Sequence, residues 1–221
     1  MKIFLILAIL LTSSVFAFAQ TEQAPIQEKE FKYKDWTYKS IGDDKEINLR
    51  EFAKGKKLVL VVYFAPWCPN WKHEAPFAQK LYEKYKSSGL DIIGVGEYDT
   101  VAAMKISIEK FKITFPVVYE SDNQAAKLKT LHYEYRKEVG DTRNWGSPWN
   151  IFLEPAKLEK KGATLTKKAH IASGELIENE AEKFIREKLG LPAEETKTAE
   201  SARKEIEVCD ESKKIAEFQK P

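Results

Sequence analysis

A chain of 221 residues is long enough for one medium-sized domain with some peptide to spare. Its 43% hydrophobic and 32% charged residues are the balance of an ordinary globular protein. The net charge is only +2 and the acids and bases are interspersed, which excludes the clustered basic surface a nucleic-acid binder needs. The lysine-rich pieces at 54–57 and 157–161 read as solvated loops.

In chain order, the first element is "MKIFLILAILLTSSVFAFAQ": Lys2, an apolar run from Ile3 to Leu11, then small residues and Ala-Phe-Ala at 17–19. That is the order of a secretory signal peptide, with cleavage expected after Ala19. An uncleaved anchor is the alternative, but Thr12, Ser13 and Ser14 interrupt the run. With no cysteine at the junction, lipid attachment there is excluded. A periplasmic or extracellular protein, soluble once cleaved, is the expectation. Residues 20–30 are polar and read as a flexible leader.

The segment "FKYKDWTYKS" at 31–40 reads as one strand with a wet face, and "GDD" at 42–44 as a turn. Asn48 and Glu51 stand at capping-box spacing for a short helix. "KLVLVVYFA" at 57–65 is a continuous β-branched run, hence a strand buried on both faces. From Pro69 to Ser88 the apolar residues take helical spacing, and Gly89 ends the pattern. "LDIIGVGE" at 90–97 is a second buried strand, and Asp99 is the expected cap of a further helix through Phe111. A strand at 113–120, a helix and long loop over 124–147, strands at 150–154 and 167–173 with a loop over 155–166, and a closing amphipathic helix at 177–190 complete the domain. The tail, 192–221, is charged and poor in apolar residues, so it reads as mobile. Alternating buried strands and helices predict an α/β sheet covered on both faces, with one domain over 31–191.

Cys68 falls where the first central strand turns into a helix. Unpaired backbone N–H groups and the positive end of the helix dipole favour the thiolate there, and Pro69 needs no N–H partner. The competing reading is a buried, inert cysteine.

The stretch "VVYFAPWCPNWKHEAP" resembles the active-site segment of thioredoxin-fold proteins, and is most similar to the TlpA-type thiol–disulfide oxidoreductases with their W-C-x-x-C-x-x-E-x-P pattern. Trp67, Cys68, Glu74 and Pro76 match that pattern, and Trp71 stands where the second cysteine belongs. "WGSPWNIFLE" resembles the stretch around the cis-proline that faces the active cysteine in this family, and "FKITFPVVYESD" resembles another family segment. The resemblance covers about residues 35 to 190 and implies a thioredoxin-like fold, a central mixed β-sheet with helices on both faces. It also implies roles: Cys68 as the attacking thiol, Glu74 beneath it tuning protonation, and Pro148 offering neighbouring backbone groups to a substrate. No cofactor is implied. His73 reads as solvent-exposed. His132 and His170 have no partner at ligand spacing, so no metal site is expected.

Without a second thiol at position 71 there can be no local dithiol cycle. A mixed disulfide on Cys68 would wait for a small thiol, a cysteine of a protein partner, or Cys209 on the tail. Cys209 lies among acids in "EVCDES", which slows it, and an uninvolved tail residue is the plainer reading. Trp67, Trp71, Trp145 and Trp149 fall in the two segments placed face to face, which suggests an apolar-walled substrate groove; ordinary packing is the alternative. Peroxiredoxins place Thr three residues before their cysteine and Pro four before that, where this chain has Ala65 and Val61. The readings are thus an exported single-cysteine thiol oxidoreductase acting on a cysteine-containing protein or small thiol, a redox-inactive binding module with a Trp-rich groove, or a structural bridge between Cys68 and Cys209.

Overall fold

The computed structural model describes residues 22–43 and 45–192. The expected signal peptide, the tail from 193 onward and Cys209 lie outside the described residues.

The elements run β1 (Gln23–Ala24), β2 (Gln27–Lys34), β3 (Thr37–Ser40), β4 (Glu46–Asn48), α1 (Leu49–Ala53), β5 (Leu58–Phe64), α2 (Pro69–Tyr85), β6 (Leu90–Gly96), α3 (Val101–Lys110), β7 (Val117–Tyr119), α4 (Leu131–Glu138), β8 (Trp149–Leu153), β9 (Thr164–Ala172), β10 (Glu175–Leu176) and α5 (Glu178–Leu189). Eight strands form one mixed sheet in the order β2-β9-β8-β5-β6-β7-β3-β4. β5, β6 and β7 are parallel, while β8 runs antiparallel to β5 on its other side.

β5 organises the domain because every one of its residues is buried. Side chains alternate across a strand, so an unbroken apolar run must feed two cores. Leu58, Leu60, Val62 and Phe64 join the core beneath α2 and α5, with Ala78, Leu81, Ile185 and Leu189. Val59, Val61 and Tyr63 join the opposite core, with Leu49, Tyr135, Trp149 and Ile151. The thioredoxin-like α/β fold expected from the sequence is the fold found.

Three expectations are corrected. The described part of the 20–30 leader carries strands: β1, from Gln23, pairs in parallel with β10, and β2 begins at Gln27 against β9. Edge strands are held by backbone hydrogen bonds, which a polar sequence supplies as well as an apolar one. The 31–40 segment is two strands, not one, on opposite sides of the sheet: β2 pairs with β9, and β3 with β7 and β4. The chain turns between them at Asp35, whose carboxylate binds the Arg50 guanidinium, and at Trp36, which is buried. Finally, α3 is capped by Thr100, not Asp99: the Thr100 hydroxyl accepts from the Ala103 N–H at 3.2 Å. Asp99 turns back to the N–H of Thr100 at 2.7 Å.

Candidate active site at Cys68

The carboxyl end of β5 turns through Ala65, Pro66 and Trp67 into α2. The Cys68 N–H closes that turn on the Ala65 carbonyl at 3.0 Å. Cys68 is the N-cap of α2, makes no side-chain cap hydrogen bond, and is followed by Pro69 in the first turn. It is 7% exposed, and its thiol donates to the Ser147 carbonyl at 3.1 Å. The Ser147–Pro148 peptide is cis. The Ser147 hydroxyl in turn accepts from the Ala65 N–H at 2.8 Å. Two hydrogen bonds therefore clamp the cysteine turn to the loop that precedes β8.

That loop is organised by a buried cation. Arg136 of α4 is 2% exposed; it pairs with Asp141 at 3.1 Å, donates to the Trp145 carbonyl at 3.0 Å and reaches the Arg143 carbonyl. Gly146 takes φ +61°, and a Cβ there would lie 1.8 Å from Arg136 Nε. Gly146→Ala is thus expected to lower stability by roughly 2–4 kcal/mol, from the left-handed backbone and the collision together. Thermal melts of the two proteins would show it; a loss below about 0.5 kcal/mol, the usual scale of a neutral surface change, would refute the packing described.

The four tryptophans do not share one groove. Trp71 is 1% exposed, stacks on Phe64 at 4.2 Å and donates its indole N–H to Ser107 Oγ at 3.1 Å. Trp149 is fully buried in the opposite core, opposite Tyr63, with its N–H on Ser173 Oγ at 3.0 Å. Both point inward because each lies on the face of its element that meets the sheet core. Only Trp67 and Trp145 remain beside Cys68 as partly buried side chains, edge to face at 5.2 Å, with Lys127 Nζ 4.4 Å from the centre of the Trp145 ring.

Glu74 lies on the inner side of α2 and is 3% exposed. One carboxyl oxygen accepts from the Leu176 N–H at 2.7 Å and from the Asn150 amide at 3.2 Å. Burial, opposed by these two hydrogen bonds and reinforced by the neighbouring charge of Glu175, pushes its pKa up to about 8. The carboxyl is therefore mostly protonated at neutral pH. Asn150 stands two residues beyond Pro148, so the strand that carries the cis-proline loop also carries a partner of Glu74.

The sequence reading missed Glu175. It lies in "SGELI", between the expected strand at 167–173 and the expected helix at 177–190, and its side chain is 2% exposed and meets His73 Nδ1 at 2.7 Å. His73 itself is 60% exposed. β10 is drawn inward by β1: the Glu175 N–H donates to the Glu22 carbonyl at 2.9 Å, and a Cβ on Gly174 would sit 2.1 Å from that carbonyl oxygen. His132 is fully buried, stacked on Tyr63 at 4.8 Å and hydrogen-bonded through Nδ1 to the Tyr98 hydroxyl at 2.9 Å. Burial and the nearby arginines hold its pKa well below the usual imidazole range, so it is neutral.

Comparison with known proteins places this geometry. The AhpC/TSA family profile matches residues 26–143. Thiol-disulfide oxidoreductase ResA of Bacillus thuringiensis is 32% identical over 85 residues, 38% of this chain and 48% of that protein. Chloroplastic peroxiredoxin Q of Triticum aestivum is 30% identical over 125 residues, 54% of this chain and 49% of that protein. The chain thus spans about half the length of these curated relatives. Among solved structures, a thiol:disulfide interchange protein of the thioredoxin family from Chlorobium tepidum superposes with a TM-score of 0.54 at 16% identity, over 73% of this chain and 97% of that one. A secreted thiol-disulfide isomerase from Corynebacterium glutamicum gives 0.51 at 15% identity, over 74% and 92%. Those two likenesses are likenesses of fold. Among the described residues no helix is long and apolar enough to cross a membrane. With the family profile covering more than half of its length and a thioredoxin fold that carries the W-C-x-x-x-x-x-E-x-P residues, the chain belongs to the AhpC/TSA family, as a redoxin of the TlpA type.

Proposed function

We propose that this protein is an exported thiol–disulfide oxidoreductase that works through Cys68 alone. One observation carries the reading: the Cys68 thiol, at the N-cap position of α2, donates to the carbonyl before the cis-proline, while the position of a second thiol is filled by Trp71, buried and hydrogen-bonded. The Cys68 thiolate attacks one sulfur of a disulfide; the new S–S bond forms as the old one breaks, and the departing thiolate takes up a proton. An external thiolate then attacks the mixed disulfide, forms a disulfide with the captured group and returns Cys68 as thiolate. The partner is a cysteine-containing protein or a small thiol. Glu74, mostly protonated at neutral pH, is the proton store for these steps. Export rests on the signal-like first nineteen residues, with a domain from the β1 strand to the end of α5 following them.

Peroxide reduction of the peroxiredoxin kind is not supported by the residues at the corresponding positions: Ala65 and Val61 are apolar and fully buried. A redox-inactive binding module keeps only Trp67 and Trp145 as its groove.

Exposure to oxidised glutathione followed by intact mass and peptide mapping tests the reading. The wild type and Cys209→Ser are expected to gain a glutathione adduct on Cys68 that dithiothreitol removes. Absence of that adduct from the folded protein, or a Cys68→Ser variant that retains full activity with its native partner, would sink it.

A further inference from the structure

Glu74, Glu175 and Asn150 make a cluster beneath α2 in which each residue is at most 3% exposed. Each has one oxygen without a hydrogen-bond partner: Glu74 Oε1, Glu175 Oε1 and Asn150 Oδ1. All three are acceptors. Two ionised carboxylates in such a place would leave lone pairs desolvated and unmatched, whereas a carboxyl proton turns one acceptor into a donor. The cluster is built to hold a proton. Glu74 is buried beneath the helix and feels the Glu175 carboxylate as a neighbouring charge. The second oxygen of Glu175 meets His73, whose imidazole is 60% exposed.

We propose that Glu175 and His73 are a positioning pair that, through the charge of Glu175, sets the pH at which the Glu74 carboxyl gives up its proton. This deepens the Cys68 reading and rests on Glu74 being the proton store of that site. The charged and titratable neighbours come from every side. His73 is on α2 and Glu175 on β10; Asn150 on β8 carries no charge. Arg143, on the loop before β8, lowers the pKa of Glu74 and is itself tied to Asp141 at 2.7 Å and Glu22 at 3.4 Å. Glu175 opposes ionisation of Glu74 by like charge. The His73 imidazole, when protonated, balances Glu175 and relieves that opposition.

The test follows the carboxyl carbons directly. Protein labelled with ¹³C at the glutamate side-chain carboxyl is titrated by NMR, with the Glu74 signal assigned by its loss in Glu74→Gln. In Glu175→Gln the Glu74 midpoint is expected to fall by roughly one pH unit, the scale of one partly screened neighbouring charge. In His73→Gln, a change at an exposed side chain, the Glu74 midpoint is expected to move to higher pH. Midpoints within 0.2 of a unit (about the precision of such a titration) of wild type in both variants, or shifts in the same direction, would overturn the pairing. Alkylation of Cys68 across the same pH range keeps the two readings apart. If the carboxyl midpoints shift as expected and Cys68 alkylation does not respond, the pair stands and the thiol chemistry falls.

Discussion

Replacing Trp71 with alanine is expected to destabilise the protein by about 3–5 kcal/mol, the scale of removing a buried aromatic from a core. That is a large part of the roughly 5–15 kcal/mol that holds a typical domain together. Three losses combine. The indole leaves a void between α2 and the sheet, since its exposure is only 1%. Its stacking on Phe64 at 4.2 Å disappears. Ser107 Oγ, itself in a residue 5% exposed, loses the donor it now receives at 3.1 Å. Urea unfolding would read the change as a lower midpoint with a nearly unchanged slope. A tryptophan lining an open groove would behave otherwise: its removal would cost less than about 1 kcal/mol and act on partner binding. Trp71→Cys would recreate the C-x-x-C spacing but leave nearly the same void. Position 71 is therefore coupled to core packing, and a second thiol cannot be placed there by substitution without repacking around it.

What could be read from the sequence divides along physical lines. The run from Leu58 to Phe64 was legible because burial on both faces demands an unbroken apolar strand, and its end placed Cys68 at a strand-to-helix turn. Glu74 was legible only through its spacing from Cys68 in a known pattern. Where spacing assigns an element but packing assigns a direction, the sequence was silent: Trp71 and Trp149 were placed in a groove and face the cores instead. The 20–30 segment was misjudged because β1 and β2 are held by backbone hydrogen bonds, to which side-chain polarity is a poor guide. Glu175 was invisible for a related reason. Nothing in "SGELI" signals burial, which arises only when β1 closes against β10 and Leu176 turns its N–H to Glu74. Arg136 likewise gave no sign in "HYEYRKE" that it organises the loop before β8.

Glu74→Gln is expected to abolish a pH dependence of stability that the wild type carries. Folded, Glu74 keeps its proton up to about pH 8; unfolded, it returns to the ordinary carboxylate value of 4.5. Below that ordinary value both states are protonated and pH makes no difference. Between the two values the unfolded chain binds fewer protons than the native one, so stability falls as pH rises. Above the folded value the loss levels off. At about 1.4 kcal/mol per pH unit the whole fall is on the order of 5 kcal/mol. Glutamine has no proton to lose, and it fits the hydrogen-bonding pattern. Its carbonyl oxygen can accept from the Leu176 N–H and the Asn150 amide, as one Glu74 oxygen does now. Its amide then takes the place of Oε1, bringing a donor into a cluster whose free atoms are all acceptors. The variant and wild type should be about equally stable near pH 4.5, and the variant should be the more stable by several kcal/mol near pH 9, measured by urea unfolding at each pH. A wild-type stability that is flat across this window, or that tracks the variant, would remove the protonated Glu74 from the site. If the slope is present, Glu74 opposes folding at alkaline pH. Loss of Cys68 turnover in the more stable Glu74→Gln protein would separate the proposed chemical role of this carboxyl from a structural one.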